Sequence, residues 1–345
     1  MGEAKAAVSI GVVGDVHGHL QLALAVMAAW QVERGQKLEA VFLCGDVGTF
    51  TPIEALDKAT QNYAQKNPIE LEFMLQWSTR PAAPWLGHIF LPLEEGGLGL
   101  DCPVIMVHGN HEGFGHLQGL APQHIPKHVL SMDELPVVDT LGKIRYLPSG
   151  WQIQLPSGYR VGGVGGIDQR HRKKHVHPMA YICEAAVRRI QGSGERLDLL
   201  ITHQGPAGTQ GSHGSDDLQP LLDRGVARAW CHGHGVQDYG VTCSGPAGRT
   251  MVIPLEDIAF PLRGERANLP RDRGWCWLTL SQDVVTPERH PPRALAQFDR
   301  AHWLVTRDGL WVCPPLAHVA EECGIISRAY GAALQTGPLG SGGST

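Results

Sequence analysis

Apolar residues along the chain gather in short continuous runs, most of them ended by a glycine-bearing turn. The first run, from Ile10, ends in Gly14. Ala40 to Cys44, Val104 to Val107, Tyr159 to Val164, Leu197 to Thr202 and Ala227 to Cys231 repeat the design and read as buried strands. Between the first two, Leu22, Leu24, Ala25, Ala28 and Ala29 fall at helical spacing over Leu20 to Arg34, and Gly35 supplies a helix exit. Thr51 to Arg80 reads as helical with a break at Pro68, and Pro81 to Cys102 as a Pro- and Gly-rich ordered loop or insertion. Pro178 suits the first turn of a helix continuing to about Gln191. Strands alternating with helices predict an α/β fold.

Past residue 260 the texture changes. Trp275 to Leu280 and Trp303 to Val312, the latter turning at Asp308-Gly309, predict a small β element. Leu339 to Thr345 reads as a flexible tail. The expected organisation is therefore a main domain over 1–260, a C-terminal β-containing extension over 261–338, and a tail over 339–345.

Polar residues at the strand ends change the picture from fold to chemistry. Asp15 and His17, one residue apart at a strand tip, would face the same way. A carboxylate oxygen and an imidazole nitrogen presented together form half of a divalent-metal site. Asp46, Asn110, His111, His203 and His234 stand at the ends of later apolar runs. In open α/β sheets, sites assemble at the carboxyl ends of strands.

Composition narrows the partners. The 345-residue chain has a formal charge of −5, which argues against a general polyanion-binding surface. A local basic patch, Arg170 to Lys174, is the exception. Eight scattered cysteines without a CxxC pair suit neither a zinc knuckle nor a disulfide scaffold, so a reduced, cytoplasmic setting is expected. No long apolar segment marks a signal peptide or membrane span, and Ala6 stands where a myristoylation motif would have Ser or Thr.

The ordered series GDVHG, CGDVG, HGNHE, LLITHQGP and CHGHG over residues 8 to 255 resembles the calcineurin-like metallophosphoesterase superfamily. The resemblance implies a four-layer α/β/β/α sandwich with, here, a small C-terminal β appendage. It implies two divalent cations, Mn²⁺, Fe or Zn²⁺, about 3.5 to 4 Å apart, and hydrolysis of a phosphate monoester or diester. Carried over, Asp15 and His17 would bind the first metal, Asp46 would bridge, and Asn110, His203 and His234 would bind the second. His111 would be the catalytic residue facing substrate. His232 is the alternative: as the first member of an HxH pair it would take the second metal and move His234 to the first.

Departures from the superfamily bear on substrate. Thr49 and Phe50 stand where the Ser/Thr protein phosphatases carry a second Asp and an Arg, and His108 stands where an Arg precedes the GNHE motif. A protein phosphatase is not expected, and His111 is expected to lack its usual orienting partner. The layout after GNHE is similar to that of the RNA lariat debranching enzymes, which implies a nucleotide or RNA substrate. Arg170, Arg172 and Lys173 would supply its phosphate contacts. The alternative is a non-catalytic binding scaffold on the same fold. No protein partner is inferable.

Overall fold

The computed structural model describes residues 5–51, 56–65, 68–77, 84–121, 129–171, 177–207, 214–236, 238–260, 268–289, 292–305, 311–316 and 328–329. In chain order the elements are β1 (Val8–Val13), α1 (Leu20–Arg34), β2 (Ala40–Leu43), α2 (Lys58–Ala64), α3 (Pro84–Phe90), β3 (Val104–Met106) and α4 (Phe114–Leu120). Then follow β4 (Val129–Ser131), β5 (Ile144–Tyr146), β6 (Trp151–Gln154), β7 (Arg160–Val164), α5 (Glu184–Gln191), β8 (Leu197–Thr202), α6 (Gln219–Arg224) and β9 (Ala227–His232). The last are β10 (Thr242–Ser244), β11 (Thr250–Pro254), β12 (Trp275–Leu280), β13 (Val285–Arg289), α7 (Pro292–Ala296), β14 (Leu304–Val305), β15 (Trp311–Val312) and β16 (Arg328–Ala329).

Two sheets face each other. One has the order β13-β12-β1-β2-β3-β5 and the other β10-β11-β9-β8-β7-β6-β4. The alternation within each strand makes the layers. Ile10, Val12, Phe42 and Ile105 meet Val161, Leu199, Ile201 and Ile253 in a core between the sheets. Val13, Val41, Leu43 and Met106 point the other way, onto α1, α3 and α7. Val164, Leu200 and Trp230 do the same toward α5 and α6 on the far side. Strands buried on both faces must be apolar throughout, which is why they read as continuous runs. The result is the expected α/β/β/α sandwich. Since β1, β2 and β3 run parallel, and β7, β8, β9 and β11 likewise, the carboxyl ends of each set lie along one edge.

α1 follows its sequence pattern to the residue. Gly35 takes a left-handed φ of 61° and returns its N–H to the helix's last turn. At the other end no side chain within α1's own N-cap serves; the Glu72 carboxylate accepts from Gln21 N at 3.0 Å instead. Glu72 belongs to a 3₁₀ helix, Pro68–Trp77, that replaces the second half of the helix expected over Thr51 to Arg80.

Three expectations are corrected. The Pro81 to Cys102 stretch is not loop throughout: α3 buries Leu86 and Ile89, three apart, against α1, a helical stripe that the flanking prolines and glycines hide. The helix starting at Pro178 stops after a single 3₁₀ turn, because Ile167 and Tyr181 then pair across an extended stretch, and α5 starts afresh at Glu184. Trp275 to Leu280 is not part of a small β element. It is β12, antiparallel to both β1 and the edge strand β13 and lying between them in the six-stranded sheet, with Trp275 and Trp277 in the outer core and Cys276, Leu278 and Leu280 between the sheets. A strand apolar on both faces needs two layers to cover it, which a small appendage does not have. A small sheet does form from β14, β15 and β16. The Asp308-Gly309 turn and the tail from Leu339 lie outside the described residues. Among the described residues no helix is long and apolar enough to cross a membrane.

Candidate metal centre

The strand ends of both sheets converge. Asp15 follows β1, Asp46 follows β2, Asn110 and His111 follow β3, His203 follows β8 and His234 follows β9. Asp15, Asp46, His203 and His234 each offer a donor atom within 4.8 Å of the others, and Asp15, His17 and Asp257 form a second such group. Asn110 joins the first through Oδ1, 3.0 Å from His203 Nε2. Among the described non-glycine residues only His17 (φ 43°), Asp46 (φ 48°), His234 (φ 32°) and Ala247 have positive φ. Three of these four strained positions are candidate ligands, so the loops hold these side chains against local backbone preference.

Asp46 lies at the middle. Its Oδ1 accepts from His111 N at 2.8 Å. Its Oδ2 lies 3.5 Å from His203 Nε2 and 3.6 Å from His17 Nε2, is buried, and has no hydrogen-bond partner. Asp15 Oδ1 is buried and unpartnered as well, while Oδ2 accepts from His234 N at 2.9 Å. Buried carboxylate oxygens without donors are costly unless a cation meets them. His203 is oriented to share the task. Its Nδ1 donates to the Cys44 carbonyl at 2.9 Å, directing Nε2 toward Asn110 Oδ1 and Asp46 Oδ2. These residues fit divalent cations, by their mixed oxygen and nitrogen donors and by the orphaned oxygens.

Electrostatics agrees. Burial works against charge on Asp46, yet His203, His111 and His17 outweigh it and hold its carboxyl far below the usual range. Burial disfavours a charged His203, but Asp46 and Asp15 raise it to about 10. Burial, helped by His203, lowers His234 to about 3, which keeps it neutral as a ligand must be. Without a metal a proton on His203 offsets the two carboxylates, and metal binding would displace it.

His111 is better supported than its sequence implied. Its Nδ1 lies 3.1 Å from Asp57 Oδ2, so the expected loss of an orienting partner is corrected. Burial opposes a charged His111, but the Asp57 hydrogen bond and the Asp46 and Asp57 charges raise it to about 9. Asp57 is the N-cap of α2, accepting from Ala59 N and Thr60 N. The sequence reading did not single out Asp57, whose reach back to His111 is made through space. Thr49, where a second Asp was sought, bonds Glu112 instead: the Glu112 carboxylate accepts from Val47 N, Thr49 N and Thr49 Oγ1 and so pins the turn that carries Asp46.

Two other candidates, His232 and Arg170, do not join the cluster. His232 donates from Nδ1 to its neighbour's carbonyl, Gly233 O, at 2.9 Å, and lies outside both donor groups. Arg170 forms a two-pronged pair with Asp168, at 2.9 and 3.0 Å, and donates to Gly214 O, so its guanidinium is committed to tying its own loop to the segment at Gly214. Arg172 and Lys173 lie outside the described residues. Asp257, at the exit of β11, was missed although it obeys the same strand-end rule.

No curated protein matches the chain. A solved structure, TT1561 of Thermus thermophilus, is 14% identical over 82% of this chain and 99% of its own, with a TM-score of 0.43. A second solved structure is 13% identical over 83% of this chain and 100% of its own, with a TM-score of 0.45. The calcineurin-like phosphoesterase profile matches residues 8–238. With that match covering well over half of the chain and taking in strands of both sheets and the strand-end residues from Asp15 to His234, the chain belongs to the calcineurin-like phosphoesterase family.

Proposed function

We propose that the protein hydrolyses a phosphate monoester or diester with two divalent cations, Mn²⁺, Fe or Zn²⁺. The observation that carries this is Asp46 Oδ2, buried, unpartnered and almost equidistant from His203 Nε2 and His17 Nε2, at 3.5 and 3.6 Å. That is where a bridging carboxylate belongs. Asp15 and His17 would hold one cation and Asn110, His203 and His234 the other. Divalent cations there supply Lewis acidity and lower the pKa of water. The chain's own part is positional and protonic. Asp57 holds the His111 ring at Nδ1, and His111 keeps a proton near neutral pH for the leaving-group oxygen. A nucleotidic diester is the finer reading; with Arg170 committed to Asp168, its phosphate contacts fall to Arg172 and Lys173.

The test is hydrolysis of an aryl phosphate and a bis-aryl phosphate by chelator-stripped protein before and after Mn²⁺ is restored. Turnover that appears only with metal is expected. Two metals bound with no turnover on either substrate would favour the binding scaffold instead.

A further inference from the structure

We infer that Asp257 is a protein ligand of the first metal position, completing with Asp15 and His17 a site for a divalent cation. The assignment rests on the metal-centre reading above and names a residue that reading does not contain. Asp15, His17 and Asp257 each offer a donor atom, all within 4.8 Å of one another. The backbone on either side of Asp257 is fastened to the centre. Ile258 N donates to Asp15 O at 2.7 Å, Leu255 N to His232 O at 2.8 Å and Glu256 N to Arg273 O at 3.1 Å. Gly14, just before Asp15, makes room for this approach, since an added Cβ would overlap the Glu256 carbonyl oxygen.

Asp15, which belongs to both donor groups, carries a further observation. Asp15 Oδ1 is buried and accepts no hydrogen bond. His203 Nδ1 is 3.2 Å away but gives its proton to Cys44 O. Asp257 is not spent on a protein cation either: Arg271 Nη1 is 3.9 Å from Asp257 Oδ2 and nearer, at 3.5 Å, to Glu256 Oε1. Counting Asp46 as the bridge, the first position then has three carboxylate donors and one imidazole. The second has one carboxylate, one amide oxygen and two imidazoles. The oxygen-rich first position favours a harder cation, Mn²⁺ over Zn²⁺, and the two positions differ in metal preference.

The experiment is calorimetric Mn²⁺ titration of chelator-stripped full-length protein, with metal content after gel filtration and the Mn²⁺ paramagnetic resonance spectrum. It compares the wild type with Asp257→Asn, Asp257→Ala and Asp257→His. Wild type should bind two Mn²⁺ and show the spectrum of a coupled pair. Asn and Ala should keep one tight site, weaken the other by about tenfold or more, and give the spectrum of isolated Mn²⁺. His should restore two-site binding with its preference moved toward Zn²⁺. The Asp257 side chain is 46% exposed, so the isosteric Asn is compatible with folding, checked by circular dichroism in chelator. Two sites of unchanged affinity in both Asn and Ala would overturn the assignment while leaving the metal centre standing. A wild type that binds no Mn²⁺ would overturn both.

Discussion

Replacing Asp57 with Asn should move the alkaline limb of the pH–rate profile toward neutrality by about one unit. His111 is raised to about 9 and Asp57 pushed down to about 2, in each case against burial and through their mutual hydrogen bond and charge. Asp57's displacement from 3.8 is nearly two units, and part of it comes from Thr60 N and Oγ1. Asp46 contributes to the His111 shift, and bound cations would neutralise that share. The pair's own share is then about one unit, or about 1.4 kcal/mol, before screening of the partly exposed Asp57. The sign follows from the direction of each shift. His111 holds its proton below about 9 and loses it as pH rises through that value; without the Asp57 charge the loss comes earlier. Asn still caps α2, so the helix itself loses little. For stability, the pair contributes fully between about pH 4 and 6.5, fades as pH rises through about 9, and fades again as pH falls toward 2. The variant should therefore melt about 2 to 4 °C lower at pH 6 and match wild type near pH 10. Initial rates from pH 5 to 10 at saturating Mn²⁺, with melting curves across the same range, check both. An alkaline limb that overlays wild type, with activity merely scaled down at every pH, would refute the coupling of Asp57 to His111.

Gly109→Ala should lower metal content and activity together by at least about tenfold, because an added Cβ would overlap Asp46 Oδ1 and its backbone N at the bridging position; metal analysis beside rates checks it. Arg170→Ala should lower the melting temperature by a few degrees by unpairing Asp168, which is 3% exposed, while leaving KM for nucleotidic diesters unchanged; a raised KM would restore the substrate-binding role expected from sequence.

The ligands were legible because each follows an apolar run by only a few residues, so finding the strand finds the ligand. β8, six apolar-flanked residues all buried, ends at Thr202, and His203 is next. Asp57 was not legible in its role because its link to His111 is made through space, by an N-cap on a helix outside both sheets. Asp257 was within reach of the same rule, since β11 ends at Pro254 in another buried run. The family pattern, whose final motif lies at His234, drew attention away from it. β12 was misplaced for a different reason. Sequence order put it after a change of texture, while the sheet placed it beside β1 in space. Its unbroken apolar character was the sign that two layers would cover it.

These placements leave an unusual charge balance around the site. His108, before Gly109, is buried, bonded through Nδ1 to Tyr146 Oη at 2.7 Å, and lowered to about 4 by burial, so it adds no positive charge. Arg170 is paired with Asp168. Glu70, whose charge is felt by Asp46, His17, His111 and Asp57, adds an acid to a rim that already includes Asp57 and Asp257. Among the described residues of the cluster, the favourable charges for a phosphate are the imidazoles that the carboxylates hold protonated, His111, His203 and His17, and metal binding would displace the protons on His203 and His17. Acidic surroundings repel a phosphate dianion, so its grip must come chiefly from bound cations. Phosphate binding and catalysis should therefore disappear together on chelation, whereas a scaffold that recognises phosphate through its own side chains would need uncommitted arginines, which the described residues at the cluster do not supply.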